Sequence, residues 1–298
     1  PVCVTQVGFI DEAIYLALER QVTICTFGDL VRVPGTNMSL AGARERGAKI
    51  RIVYSPVDAK EYAKEHPKEQ VTFLSVGFET TTPSACLSVK KAREEGLTNY
   101  SILTANKTMP QAYEALKGSA DIFLYPGHVN AITGTKLCEE LAKEGVSGVV
   151  AGFTAKELLT ALAVALARFQ EGRPFFVNCY PRVVTENGSP QAQKLVEEMM
   201  EPCDSEWRGL GVIKGSGMRL QEEWSAFDAR KKYKIPPIQG KANPACRCGD
   251  VLQGKCKPSD CKVFGKVCTP QHPVGACMVS GEGACSAYYM YGEAEKMK

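Results

Sequence analysis

Thirteen cysteines constrain this chain more than any other feature, because their placement is so uneven. Six are spread over residues 1–240 (Cys3, Cys25, Cys86, Cys138, Cys179 and Cys203). Seven crowd the last 58 residues: Cys246, Cys248, Cys256, Cys261, Cys268, Cys277 and Cys285. An odd number of thiols, in a 298-residue chain with ample apolar residues, argues against a secreted disulfide scaffold. No leader or transit segment is evident, so a cytoplasmic protein is expected. The most apolar run, Leu158 to Phe169, contains Arg168 and is too short for a membrane span. It predicts a buried helix. Thiols that bind a metal or carry electrons are the expectation.

Charge follows the cysteines. Residues 241–298 hold eight Lys/Arg and five Asp/Glu, whereas residues 1–240 hold 28 of each, so the whole net charge of +3 sits in the tail. A positive balance there would offset thiolates that bind a cluster. It is too sparse for a nucleic-acid stripe, and no nucleic acid or membrane partner is expected.

Residues 1–184 alternate short β-branched runs with helix-like stretches. Strands are predicted at Val22–Thr26, Ile50–Tyr54, Val71–Val76, Tyr100–Thr104, Ile122–Tyr125, Gly148–Ala151 and Phe175–Val177. The helix-like stretches between them end near Gly96, Gly145 and Gly172. This rhythm predicts an α/β fold with mainly parallel sheets, whose ligands bind at the carboxyl ends of strands. Three strand ends carry glycine beside polar residues: Phe27-Gly28-Asp29, Gly77-Phe78-Glu79-Thr80-Thr81-Thr82, and Pro126-Gly127-His128-Val129-Asn130. Asp29, Glu79 and His128 are thus candidate site residues, with helix capping by Thr80 to Thr82 and Asn130 as the bland alternative.

A helix is predicted at Pro190–Met200, then a Gly-rich stretch from Gly209 to Gly217, then a helix-like Gln221–Tyr233 before Pro236 and Pro237. Beyond them, much Gly, Pro and Cys with few aliphatics leaves too little apolar area to fold by burial alone, a shortfall that metal ligation remedies. The tail has one Cys-x-Cys pair and no CxxC, so spacing alone leaves iron–sulfur and zinc both open. His272 reads as a loop residue.

Taken together, Pro244-Ala-Cys246-Arg-Cys248-Gly-Asp250, Phe264-Gly-Lys-Val-Cys268-Thr-Pro270 and Gly275-Ala-Cys277-Met-Val-Ser-Gly-Glu282-Gly-Ala-Cys285 resemble the carboxyl-terminal module of the HypD family of [NiFe]-hydrogenase maturation factors. Thr26-Phe-Gly-Asp29, Arg32-Val-Pro-Gly35, Gly77-Phe-Glu-Thr-Thr81, Pro126-Gly-His-Val129 and Tyr180-Pro-Arg182 extend the resemblance along the chain. It implies two similar α/β lobes and a Cys-rich iron–sulfur module. The expected divisions are a first lobe over 1–68, a second over 69–152, a helix-rich return over 153–240, and the module over 241–298.

The resemblance also implies a [4Fe–4S] cluster on cysteines spaced C-x14-C-x6-C-x16-C, which Cys246, Cys261, Cys268 and Cys285 match. Cys248 and Cys277 would be a redox-active pair beside it, as in ferredoxin:thioredoxin reductase, and Cys256 an incidental thiol. Cys3 matches the second cysteine of a family CxxC and is a candidate ligand at an iron-assembly site. The upstream part of that motif, another iron-binding cysteine and the first strand are expected to be missing from this chain. The implied role is an assembly scaffold with redox chemistry rather than a conventional turnover enzyme. Iron receives cyanide and carbon monoxide on it, with a HypC-like chaperone and a HypE-like cyanide donor as partners and a relay from the cluster through Cys248–Cys277 to Cys3. His128 would donate a proton or a hydrogen bond to cyanide nitrogen, and Glu79 would orient either His128 or a backbone loop. The alternatives are a free-standing cluster/disulfide oxidoreductase and a zinc-stapled binding protein.

Overall fold

The computed structural model describes residues 2–292, so residues 293–298 of the expected module lie outside it. Among the described residues ten strands follow in chain order: β1 (Thr23–Thr26), β2 (Ile50–Ile52), β3 (Val71–Ser75), β4 (Tyr100–Thr104), β5 (Asn106–Lys107), β6 (Phe123–Pro126), β7 (Gly148–Ala151), β8 (Phe176–Asn178), β9 (Met200–Trp207) and β10 (Gly211–Leu220). The α/β architecture with parallel sheets and a Cys-rich carboxyl-terminal segment is as the sequence predicts.

Strands β2-β1-β3-β4 form one parallel sheet and β6-β7-β8 another. β1, β3 and β4 are buried at every position, which is why they read as unbroken apolar runs without alternation. Helices Val7–Glu19, Pro56–Glu65 and Thr82–Glu94 cover the larger sheet, and Ser55 starts the second of these with a reciprocal capping box on Asp58. The four strands come from residues 23–104, so this sheet draws on both sides of the expected 68/69 division. Strand order reverses between β1 and β3, and the loops leaving their carboxyl ends carry Asp29 and Glu79. Such a switch point opens a crevice for ligands.

Two local expectations are corrected, one over residues 209–233 and one at the run Leu158 to Phe169. The Gly-rich stretch from Gly209 to Gly217 lies in an antiparallel hairpin, β9 with β10, joined to β5. A 3-10 turn (Glu222–Phe227) and a single helical turn (Ala229–Lys232) replace the helix-like Gln221–Tyr233. The hairpin is anchored by Lys107, whose buried ammonium donates to Ser205 Oγ and Glu206 O at 2.7 Å each. Burial lowers the pKa of Lys107 to about 8.

The helix Ala155–Phe169 is the second correction, since it is not buried. It rests on β7 through Ala161 and Ala165 and exposes Leu159 (67%), Leu162 (44%), Leu166 (63%) and Phe169 (50%). Those four recur at a three-four spacing along one face, the pattern of a seam for another helix. Among the described residues no helix is long and apolar enough to cross a membrane.

Candidate functional site

Residues 244–292 hold only short elements: a helix over Cys248–Leu252, 3-10 turns over Pro258–Asp260 and Ala276–Met278, and a helix over Ala284–Tyr291. Sulfur takes the place of an aliphatic core. Cys248, Cys268, Cys277, Cys285 and Met278 are buried together, with Cys3, Cys246, Val251, Phe264 and Val274 packed around them. Cys246 Sγ lies 3.2 Å from Cys248 Sγ. Cys277 lies close enough to Cys248, Cys285 and Cys3 for their sulfurs to influence its proton, so a file of neighbouring thiols runs through the cluster. Cys268 Sγ accepts the Val274 N–H at 3.3 Å, and Cys261, also buried, faces the Ala245 carbonyl at 3.8 Å.

Two backbone features bring these side chains together. Gly275 passes directly beside Cys246 Sγ and Cys248 Sγ, where a Cβ would overlap both. The short turn Val2–Val4 packs on the turn Ala276–Met278, which sets Cys3 against Cys277. Thiols this close share protons. Hydrogen bonds from neighbours pull Cys3 down to about 7 and Cys285 to about 5, and lower Cys248, while Cys246 and Cys277 are pushed up. Cys25, Cys86 and Cys138 lie apart in the apolar interior, where burial raises them to about 12, 12 and 11 and leaves them unreactive. Cys256 is half-buried and outside the thiol file.

Cys3 opens into a cavity of about 350 Å³ whose lining includes Asp29, Phe78, Trp207, Ser280 and Glu282. Asp29, exposed on the turn Gly28–Arg32, therefore shares a hollow with Cys3 at the switch point. His128 is the second residue of the helix Gly127–Thr133 and is exposed, its ring 5.1 Å from that of Phe153. Desolvation by the surrounding protein lowers its pKa, and the charge of Glu282 opposes that. Asn130 does not cap this helix. It lies within it, and its amide donates to Gly134 O and Cys138 Sγ.

Glu79 does not orient His128. Its Oε1 accepts the Met109 N–H at 2.8 Å, while Oε2 is buried with no partner. Burial of this carboxyl raises its pKa to about 7. The native state then holds a proton that the unfolded chain releases above the usual carboxylate range, so stability falls as pH rises toward and through 7. Each pH step across that window weakens the native state by up to roughly 1.4 kcal/mol, so between pH 5 and 8 the wild type should lose about 3 kcal/mol relative to Glu79→Gln. Urea unfolding of both proteins across that range checks it. Parallel curves would mean the carboxyl is ionised throughout.

A family model named HypD, described as "Hydrogenase formation hypA family", matches residues 1–292. The chain belongs to the HypD family. Relatives agree: hydrogenase maturation factor HypD of Rhizobium leguminosarum bv. viciae is 42% identical over 98% of this chain and 79% of its own length. HypD of Rhodobacter capsulatus is 42% identical, over 99% of this chain and 81% of its own. HypD of Escherichia coli (strain K12) is 40% identical over the same shares.

Among the described residues of this HypD-family chain, no three His, Cys, Asp or Glu side chains are arranged to hold a single metal ion. The donor set nevertheless fits a thiolate-bound cluster. Cys246, Cys261, Cys268 and Cys285 are soft donors gathered in one short segment, and a backbone N–H already points at Cys268 Sγ. Sequence reasoning missed two charged residues here. Glu282 bears on both Cys3 and His128, and its place inside the Gly275–Cys285 motif was the available signal. Arg208, buried against the thiols, had none, because the hairpin that carries it was not foreseen.

Proposed function

We propose that this chain is an assembly scaffold for the Fe(CN)2CO unit of [NiFe] hydrogenases, working with a HypC-like chaperone and a HypE-like cyanide donor. In this reading the two parallel sheets are the two lobes and residues 241–298 the iron–sulfur module. The observation that carries it is the file of thiols from Cys285 and Cys246, through Cys248 and Cys277, to Cys3 beside a cavity. Cys3 offers a thiolate to the cargo iron, a soft ligand suited to low-spin iron. A [4Fe–4S] cluster on Cys246, Cys261, Cys268 and Cys285 would supply electrons singly.

Cys248 and Cys277 convert that supply into paired electrons. Their oxidation to a disulfide releases two electrons and two protons. Cleaving a partner's thiocyanate takes up both, since the sulfur–carbon bond breaks, the partner's thiol is regenerated and cyanide is freed with a proton. Asp29 would hold water or a proton at the cavity mouth, and Glu79, anchored on Met109, would fix the loop beside it. His128 would donate a hydrogen bond to cyanide nitrogen. The exposed seam of Leu159, Leu162, Leu166 and Phe169 supports an obligation to partners, because apolar surface of this kind marks protein contacts.

Infrared spectroscopy of the anaerobically co-purified complex with both partners tests the proposal. Cyanide and carbonyl stretches on protein-bound iron are expected. Their absence, with turnover of a disulfide substrate, would replace the scaffold by a free-standing thiol oxidoreductase.

A further inference from the structure

A cavity of about 840 Å³ lies between the loop 34–39, the linker 241–244 and the stretch 271–274, and no cysteine lines it. Small-molecule sites span roughly 300–1,000 Å³. The lining holds three strong cations, Arg32, Arg208 and Lys241, against one carboxylate, Glu45. Among the described residues none of the three cations lies within 4.0 Å of a carboxylate oxygen.

Arg208 carries the argument. It is 6% exposed, yet among the described residues its guanidinium meets one acceptor, the uncharged Pro34 O, at 3.2 Å from Nη1. A buried cation with no counter-charge is strongly destabilising. A guanidinium also presents five N–H donors in a planar fork that fits a carboxylate or a phosphate. The walls around it are fixed. The Arg208 backbone N–H donates to Val4 O at 2.9 Å. Arg32 donates to Pro270 O at 2.8 Å and Val279 O at 3.3 Å. The Lys241 backbone N–H donates to Thr36 Oγ1 at 2.8 Å, and Thr36 N donates to Asp11 Oδ1 at 2.8 Å. A site tied down in this way needs little ordering when a ligand arrives.

We infer that this cavity binds a small dianion through a carboxylate or phosphate group. Arg208 grips the oxyanion from the floor, and Lys241 and Arg32 supply charge from the walls. Two negative charges match the two positive charges that Glu45 leaves over. The site does not depend on which cysteines hold a cluster.

Isothermal titration calorimetry of the full chain, at low salt and slightly above neutral pH, tests it with inorganic phosphate and, separately, succinate. Saturable single-site binding of at least one is expected. Phosphate alone would assign a phosphorylated ligand, succinate alone a dicarboxylate, and both a site that selects charge only. Arg208→Gln should weaken binding about tenfold, the loss of a charge-assisted hydrogen-bonded contact. Lys241→Gln should weaken it about threefold and serves if Arg208→Gln does not fold. Lys214→Gln, at an exposed position outside the lining, should bind as wild type. No saturable binding of either anion overturns the inference. So does wild-type affinity in a folded Arg208→Gln or in Lys241→Gln, or a loss in Lys214→Gln equal to that in Lys241→Gln.

Discussion

Serine at Cys246, Cys261, Cys268 or Cys285 is expected to leave the anaerobically reconstituted protein colourless. Serine at Cys256 should leave it brown. The contrast is sharp because all these residues lie within one short, cysteine-rich segment. Serine oxygen is a hard donor and a poor substitute for thiolate on iron, so loss of one ligand should cost most of the bound iron. Cys248 and Cys277 make the decisive comparison. They lie among the expected ligands, with Cys246 Sγ and Cys248 Sγ only 3.2 Å apart. Under the proposed assignment Cys248→Ser and Cys277→Ser keep their colour and lose only the disulfide. Bleaching by either of them, or by Cys256→Ser, would mean that the ligand set is drawn from the wrong thiols. Iron per chain and visible absorbance after desalting read the outcome.

Gly275→Ala should be nearly as damaging although it removes no ligand. Gly275 has φ −127° and ψ 154°, extended backbone that alanine adopts without strain. The obstacle is space alone, because the added methyl overlaps Cys246 Sγ and Cys248 Sγ at once. Overpacking of this kind costs about 1–3 kcal/mol, and a segment this poor in aliphatic area has little room to relax. We expect a lower thermal midpoint and reconstitution reduced at least tenfold. Gly281→Ala is the control, since a methyl there meets only Met290 Cε at an ordinary 3.6 Å. Equal behaviour of the two variants would show that the thiols do not need Gly275 to stay close.

The strand and helix rhythm of the first 180 residues was legible because burial wrote it directly. β1, β3 and β4 are covered on both faces, and Ser55 and Thr154 mark helix starts with full capping boxes. The hairpin was not. β9 contains Pro202 and Asp204, and β10 has glycine at 211, 215 and 217, residues that weigh against strands. Cross-strand pairing and the buried Lys107 override those preferences, and neither is local information. The Leu158–Phe169 run misled in the opposite sense. Its apolar content signals contact, but Ala161, Ala165 and Val164 meet the sheet while Leu159, Leu162 and Leu166 face outward. At the site, spacing marked the tail as a thiolate module and family resemblance divided its cysteines into roles. Which sulfurs touch depends on Gly275 and the Val2–Val4 turn, whose importance lies in what they stand beside.

That turn has a consequence for biogenesis. Cys3 leaves the ribosome long before Cys277 does, yet the two side chains meet. Joining such distant positions is an entropically expensive step that local contacts cannot prepare. Under the proposed function, the nascent polypeptide would therefore lack the finished thiol group on which iron is to be held. Loading would then wait until the second thiol has emerged and found the first.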